Sequence, residues 1–150
     1  MRDFICKKIK TLKPSGIRKL FDIANEMPNV ISLGIGEPDF DTPWHIREEG
    51  INALQKGRTF YTSNSGLEEL RVEICKYVEK KYGLNYNPES DVVVTVGGSE
   101  AIDIALRAII NPGDEIICPE PCFVSYQPCI IMSGGVSVPI SLTADNSFKL

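Results

Sequence analysis

The chain has 150 residues, 43% hydrophobic and 24% charged, with a formal net charge of −4. Its length suits roughly one domain of 100–200 residues, enough to build a core without disulfides or a structural metal. An acidic balance argues against non-specific nucleic-acid binding, which needs a basic face. No apolar run approaches the roughly 20 residues that cross a bilayer, so no membrane partner is expected. The charged start MRDFICKKIKTLK has no signal-peptide core. Lysines 7, 8, 10 and 13 form the only basic cluster, read as a solvated segment in preference to a phosphate-binding arm. Cysteines 6, 75, 118, 122 and 129 are an odd set without a CxxC pair, which points to reduced thiols in a cytoplasmic protein. His45 is the single histidine, so neither a zinc site nor a Ser-His-Asp triad is expected.

In chain order, Ser15 reads as an N-cap ahead of Ile17, Leu20, Phe21 and Ala24 at helical spacing, with Pro28 and Asn29 ending the helix. Val30 to Leu33 suggests a short strand. Gly34 to Pro43 holds two glycines, two prolines and three acids, the composition of a shaped loop. Thr42-Pro43 starts a helix carrying Ile46, Ala53 and Leu54 on one face, Ile51 at its edge, that ends near Gly57. His45 falls near that start, where a partly exposed structural role is expected. Ser65 and Glu68 have capping-box spacing ahead of Leu67, Leu70, Ile74, Tyr77 and Val78, and Gly83 closes that helix. Val92 to Val96 is a β-branched run of the kind buried on both faces of a sheet. Gly97-Gly98-Ser99 turns into a helix with Ile102, Ala105, Leu106 and Ile109 inward. Strands at Glu115–Cys118 and Val136–Ile140 flank a helix from Phe123 to Met132, whose continuity Pro128 opposes. The alternation indicates a parallel α/β architecture.

Two segments can carry chemistry. A helix opening at Gly97-Gly98-Ser99 presents unpaired N–H groups and a positive dipole end, and the glycines let a phosphate approach. Taken alone, the same residues also make a plain tight turn. Glu100 and Asp103 read as ordinary helix-start acids. The segment Pro119 to Tyr126 follows a strand at the end of the sheet where open α/β folds bind ligands. Phe123 and Tyr126 there could stack on a flat ring, although helical spacing alone favours core packing. Neither GxGxxG nor GxxxxGK[ST] is present.

LGIGEPDFDTP, YTSNSGLEELR, VVVTVGGSEAID, NPGDEIICPEPCFVSY and NSFKL occur in this order. Together they resemble the class I aminotransferases of fold type I, the microbial aspartate, aromatic and acyl-amino-acid enzymes, from about Ser15 to Leu150. The resemblance implies an incomplete N-terminal part of that α/β fold. Residues 1–45 would form an arm and small-domain segment, and residues 46–150 the first part of the three-layer cofactor-binding large domain. It implies pyridoxal phosphate as cofactor, amino acid and 2-oxo acid as substrates, and a homodimer when complete. Gly97, Gly98 and Ser99 would cradle the cofactor phosphate and Phe123 would stack on its ring. Phe123 stands where Trp or Tyr is frequent, so the stacking surface is kept and a polar handle lost. Tyr61 would reach the phosphate of the neighbouring subunit, with Gly36 and Asn64 at the substrate carboxylate.

The family's Schiff-base lysine, its ring-nitrogen aspartate and its carboxylate-binding arginine match nothing up to Leu150. None of the ten lysines, Lys149 included, has the matching context. The family's sheet order would also hold Val92–Val96 apart from the two later strands, so the isolated chain is expected to fold poorly or to need a partner. The competing expectation is a short, non-catalytic product that binds a phosphate ligand or a partner chain. A nucleotide-binding domain ranks third.

Overall fold

The computed structural model describes residues 3–12, 14, 16–31, 33–34, 36 and 38–150. It divides into two units, Gly16–Val94 and the pair of segments Met1–Ser15 and Thr95–Leu150.

The Gly16–Val94 unit holds α2 (Ile17–Glu26), α3 (Trp44–Gln55) and α4 (Glu68–Tyr82). The cap expected at Ser15 lies outside the described residues, as do Ile35 and Glu37 of the shaped loop and Lys13 of the basic cluster. Along α2, Ile17, Leu20, Phe21 and Ala24 share one apolar groove with Leu33 and Gly34, so the helical spacing read from the sequence is realised. Helix α3 ends in a Schellman arrangement: Gly57 at φ 67° donates to the Leu54 carbonyl at 3.0 Å and Arg58 to that of Ala53 at 3.0 Å. Its expected inner face is not covered, since Ile46, Ile51 and Leu54 are exposed. Helix α4 carries Glu68 and Glu69 in its first turn and Lys80 and Lys81 in its last, both complementing the dipole, and closes on Gly83 at φ 70°.

Three expectations for this unit are corrected. The Ser65–Glu68 capping box does not form: α4 has Leu67 at its N-cap and no side-chain cap. Gly66 at φ 93° turns the chain there, and the Ser65 carbonyl instead accepts the Val94 N–H at 3.0 Å. Val92–Val96 is not a strand, and neither are Val30, Ile31 and Leu33. A strand needs a ladder, and among the described residues the only one joins the two strands of the other unit. Arg71 is buried in α4, donating to the Pro88 carbonyl and tying the helix to the connection after it.

The other unit contains α1 (Lys7–Thr11), α5 (Gly98–Ile109), β1 (Glu115–Glu120), α6 (Tyr126–Met132), β2 (Val136–Ser141) and a short 3-10 turn at Ala144–Asn146. Strands β1 and β2 pair in parallel with Glu115 opposite Val136 and Glu120 opposite Ser141, joined through α6. Helix α6 begins three residues later than the sequence suggests. Pro128 then falls in its first turn, where a missing N–H costs nothing. At the amino ends of the strands the two preceding turns interlock: Gly113 donates to Gly134 at 2.9 Å and Val136 to Asp114 at 2.8 Å. A Cβ on Gly135 would sit 2.7 Å from Ile116 Cδ1 and 3.2 Å from the Asp114 carbonyl, so a side chain there would force its neighbours to shift. Cys118 on β1 and Ile130 on α6 are the buried hydrophobic residues of the described chain. On α5, Ile102 and Leu106 are half-buried, while Ala105 and Ile109, expected inside, are exposed. Lys8 of the basic cluster donates to the Met132 carbonyl at the end of α6 at 2.8 Å, a structural task at the negative end of a helix. Among the described residues no helix is long and apolar enough to cross a membrane.

Candidate functional site

The start of α5 is built by its glycines. Gly97 adopts φ 82°, a conformation that a side chain disfavours, and its N–H returns to the Thr95 carbonyl at 2.9 Å. The Thr95 hydroxyl donates to the Gly97 carbonyl at 3.0 Å, closing the turn from the other side. The N–H groups of Gly98 and Ser99 then open the helix without an intrahelical acceptor. A Cβ built on either Gly97 or Gly98 would meet nothing within 4 Å, so the space over this terminus is open.

Glu100 is more than a dipole acid, since its carboxylate accepts the Val96 N–H. Asp103 binds Arg107 Nε at 2.7 Å, one turn on. That pairing holds the Arg107 guanidinium above its ordinary pKa, chiefly through the hydrogen bond and then through charge attraction.

The segment after β1 comes to this place. Ser125 Oγ lies 3.4 Å from Ser99 Oγ, which sets two hydroxyls side by side at the mouth of α5. Ser125 precedes α6 but makes no side-chain cap, leaving its hydroxyl for Ser99. Sequence reading missed it, because the helix expected from Phe123 to Met132 enclosed Ser125, whereas α6 begins at Tyr126. Phe123 is 49% exposed and meets Tyr126 edge-on, centroids 5.7 Å apart, so one aromatic face remains open beside this segment. Core packing, the competing reading of Phe123, does not hold for a ring so exposed.

Gly97, Gly98, Ser99, Ser125 and Phe123 thus belong to one unit, and Gly36, Tyr61 and Asn64 to the other. Tyr61 is fully exposed at the head of a tight loop. Ser63 Oγ donates to the Gly66 carbonyl at 2.7 Å and Gly66 N–H to the Ser63 carbonyl at 2.9 Å, which fixes the turn that carries Asn64. Gly36 is exposed, with open space around its α-carbon. His45 lies on the surface in the first turn of α3. Among the described residues no group of three or more His, Cys, Asp or Glu side chains could hold a metal.

A comparison with known proteins matches residues 28–150 to the family described as aminotransferase class I and II. The protein YugH of Bacillus subtilis (strain 168), whose name carries no substrate, is 50% identical over 149 residues, covering 99% of this chain and 39% of YugH. The aspartate aminotransferase of Pyrococcus abyssi is 45% identical over 143 residues, covering 95% of this chain and 37% of that protein. Among solved structures, the Thermotoga maritima aspartate aminotransferase superposes with a TM-score of 0.88 at 36% identity, over 97% of this chain and 40% of that one. The chain therefore spans about two fifths of the length of the proteins it matches. With more than four fifths of its residues inside the family match, it belongs to the class I and II aminotransferases, a pyridoxal-phosphate-dependent family of fold type I.

Proposed function

We propose that this chain is the cofactor-cradling N-terminal part of a transaminase that moves an amino group from an amino acid to a 2-oxo acid such as 2-oxoglutarate. Aspartate, an aromatic amino acid and an acylated diamino acid are the candidate donors. Relatives named for aspartate, for aromatic amino acids and for N-acetyl-LL-diaminopimelate support that range.

The observation that carries the reading is the mouth of α5. It offers unpaired N–H groups, open space at both glycines and two adjacent hydroxyls, and these fit a phosphate monoester. In this reading the N–H groups of Gly98 and Ser99 donate to the phosphate oxygens and Ser99 Oγ adds a third donor. Gly97 shapes the turn that aims them. Phe123 offers its open face to the pyridine ring and excludes water from one side of it. Tyr61 donates its hydroxyl to the phosphate held by the neighbouring subunit of a homodimer. The Gly36 backbone and Asn64 orient the substrate carboxylate. Pyridoxal phosphate, when bound, supplies the electron sink that lets an amino group change carriers. Residues 1–45 serve as arm and small-domain segment, and residues 46–150 as the start of the large domain. None of the ten lysines stands in the context of the family's catalytic lysine, so the chain by itself is inactive in this reading.

The test compares the protein produced in its own host with a Gly98→Asp variant made the same way. A Cβ at Gly98 touches nothing in the chain, so the helix start survives while a carboxylate enters the phosphate position. Titration with pyridoxal phosphate should saturate for the parent and weaken by at least about tenfold in the variant, the scale of one lost charge-assisted hydrogen bond. Equal and non-saturable uptake by both proteins sinks the cradle.

A further inference from the structure

We propose that Cys118 and Cys122 form a redox-responsive pair, in which a peroxide converts two neighbouring thiols into an intramolecular disulfide at the carboxyl end of β1. The sequence separates them by three residues and offers no CxxC motif, yet the chain bends after the strand and brings the sulfurs within 3.7 Å. Cys118 is 2% exposed, whereas Cys122 lies at the surface. This is the division of labour that a peroxide-reactive pair needs: an accessible thiol to meet the oxidant and a sheltered one to resolve the product. Bond formation draws the sulfurs from 3.7 Å to about 2.05 Å. The two sulfurs have no further His, Cys, Asp or Glu with them to make a group of metal ligands among the described residues, which leaves thiol chemistry as their shared property.

The step balances with hydrogen peroxide as the oxidant. The Cys122 thiol gives up its proton and the sulfur attacks one peroxide oxygen; the O–O bond breaks, the departing hydroxide takes up that proton as water, and a sulfenic acid remains. Cys118 sulfur then attacks Cys122 sulfur and expels the hydroxyl, which leaves as a second water with the Cys118 proton. Two electrons pass from the sulfurs to the peroxide. Partial burial, then the contact with Cys118 and the charge of Glu120, push the Cys122 thiol above its ordinary range. The share of thiolate is thereby lower than for a free cysteine, which slows the first attack on the peroxide. Once formed, the bond fastens the residue preceding Phe123 to β1.

The protein is taken as its host makes it, treated with hydrogen peroxide or left reduced, acid-quenched, alkylated and digested with trypsin. Cys118, Cys122 and Cys129 fall on one peptide between Arg107 and Lys149. After peroxide that peptide should carry one alkyl group, on Cys129, in place of three, and be two hydrogens lighter than its singly alkylated dithiol form, with no fragment ions arising between Cys118 and Cys122. Dithiothreitol should restore three alkylated cysteines. Cys122→Ser should abolish the bond and Cys129→Ser should preserve it. Parent protein oxidised in urea should yield severalfold less of it, a readout that does not depend on a variant folding. Three alkylated cysteines after peroxide, a sulfinic acid at Cys122 beside an alkylated Cys118, pairing through Cys129, or an undiminished yield in urea would each overturn the proposal.

Discussion

Warming the isolated chain tests whether these residues suffice for a cooperative fold. The chain leaves 12983 Å² accessible to solvent at a mass of 16.6 kDa. A compact monomer of that mass leaves about 7,600 Å², and two compact halves with no contact at all leave about 9,200 Å² together. Even the more generous figure is exceeded by about 3,800 Å², whatever the arrangement of the two units. The side chains concerned are large and apolar: Leu33, Phe60 and Val96 are each close to fully exposed. A cooperative 150-residue domain absorbs about 105 kcal/mol on melting near 60 °C. The isolated chain should show a broad transition with less than about a third of that heat. It should also bind a hydrophobic dye before heating, as loosely packed chains do. A single sharp endotherm near the full value, with equal calorimetric and van't Hoff enthalpies, would refute the argument.

Other expectations are local. Gly66→Ala places a methyl group 2.6 Å from Val94 Cβ at a φ of 93°, and strain plus overpacking should cost about 2–4 kcal/mol. In protein made by its host, exchange of the Val94 amide, which donates to Ser65, should accelerate by roughly 30-fold or more; a change below threefold would contradict the packing. Gly50→Ala, inside α3 with open space around it, should gain about 0.5–1 kcal/mol of helix stability, and reduced helicity by circular dichroism would count against it. Iodoacetamide should label Cys122 in the folded protein more slowly at neutral pH than in urea, catching up only at alkaline pH. The raised pKa means that the neutral thiol favours the fold, a contribution present below the unfolded pKa and lost as pH climbs through the folded one. Identical pH profiles in the two states would show that no such contribution exists.

The helices of this chain were legible because their signals are local. Gly57 and Gly83 stand just past the ends of α3 and α4, and the apolar period of α2 lines a single groove. The strand at Val92–Val96 was misread because β-branched composition reports suitability for a sheet, whereas pairing depends on a neighbour that composition does not contain. The capping box failed because Gly66 turns the chain at φ 93° and puts Leu67, not Ser65, at the N-cap, which a three-residue spacing does not reveal. At the site, Gly97-Gly98-Ser99 announced itself through a strand-like run followed by small residues at a helix start. Ser125 did not, since its meaning comes from the fold that sets it beside Ser99. The Cys118–Cys122 contact was hidden in the same way, by the bend that follows β1.

The interlocked turns beneath β1 and β2 have an evolutionary consequence. With Gly113 and Gly134 bonded together and Gly135 pressed on Ile116, substitution at that end would disturb the register of both strands at once. The opposite end has a single such tie, from the Leu142 N–H to the Glu120 carbonyl at 2.7 Å, and beyond it Pro121 to Ser125 run out from β1. Sequence drift can explore new ligand preferences there while the strand pairing stays as it is. A lineage built on this unit would therefore diversify in specificity from one rim only, with the other changing slowly as its anchor.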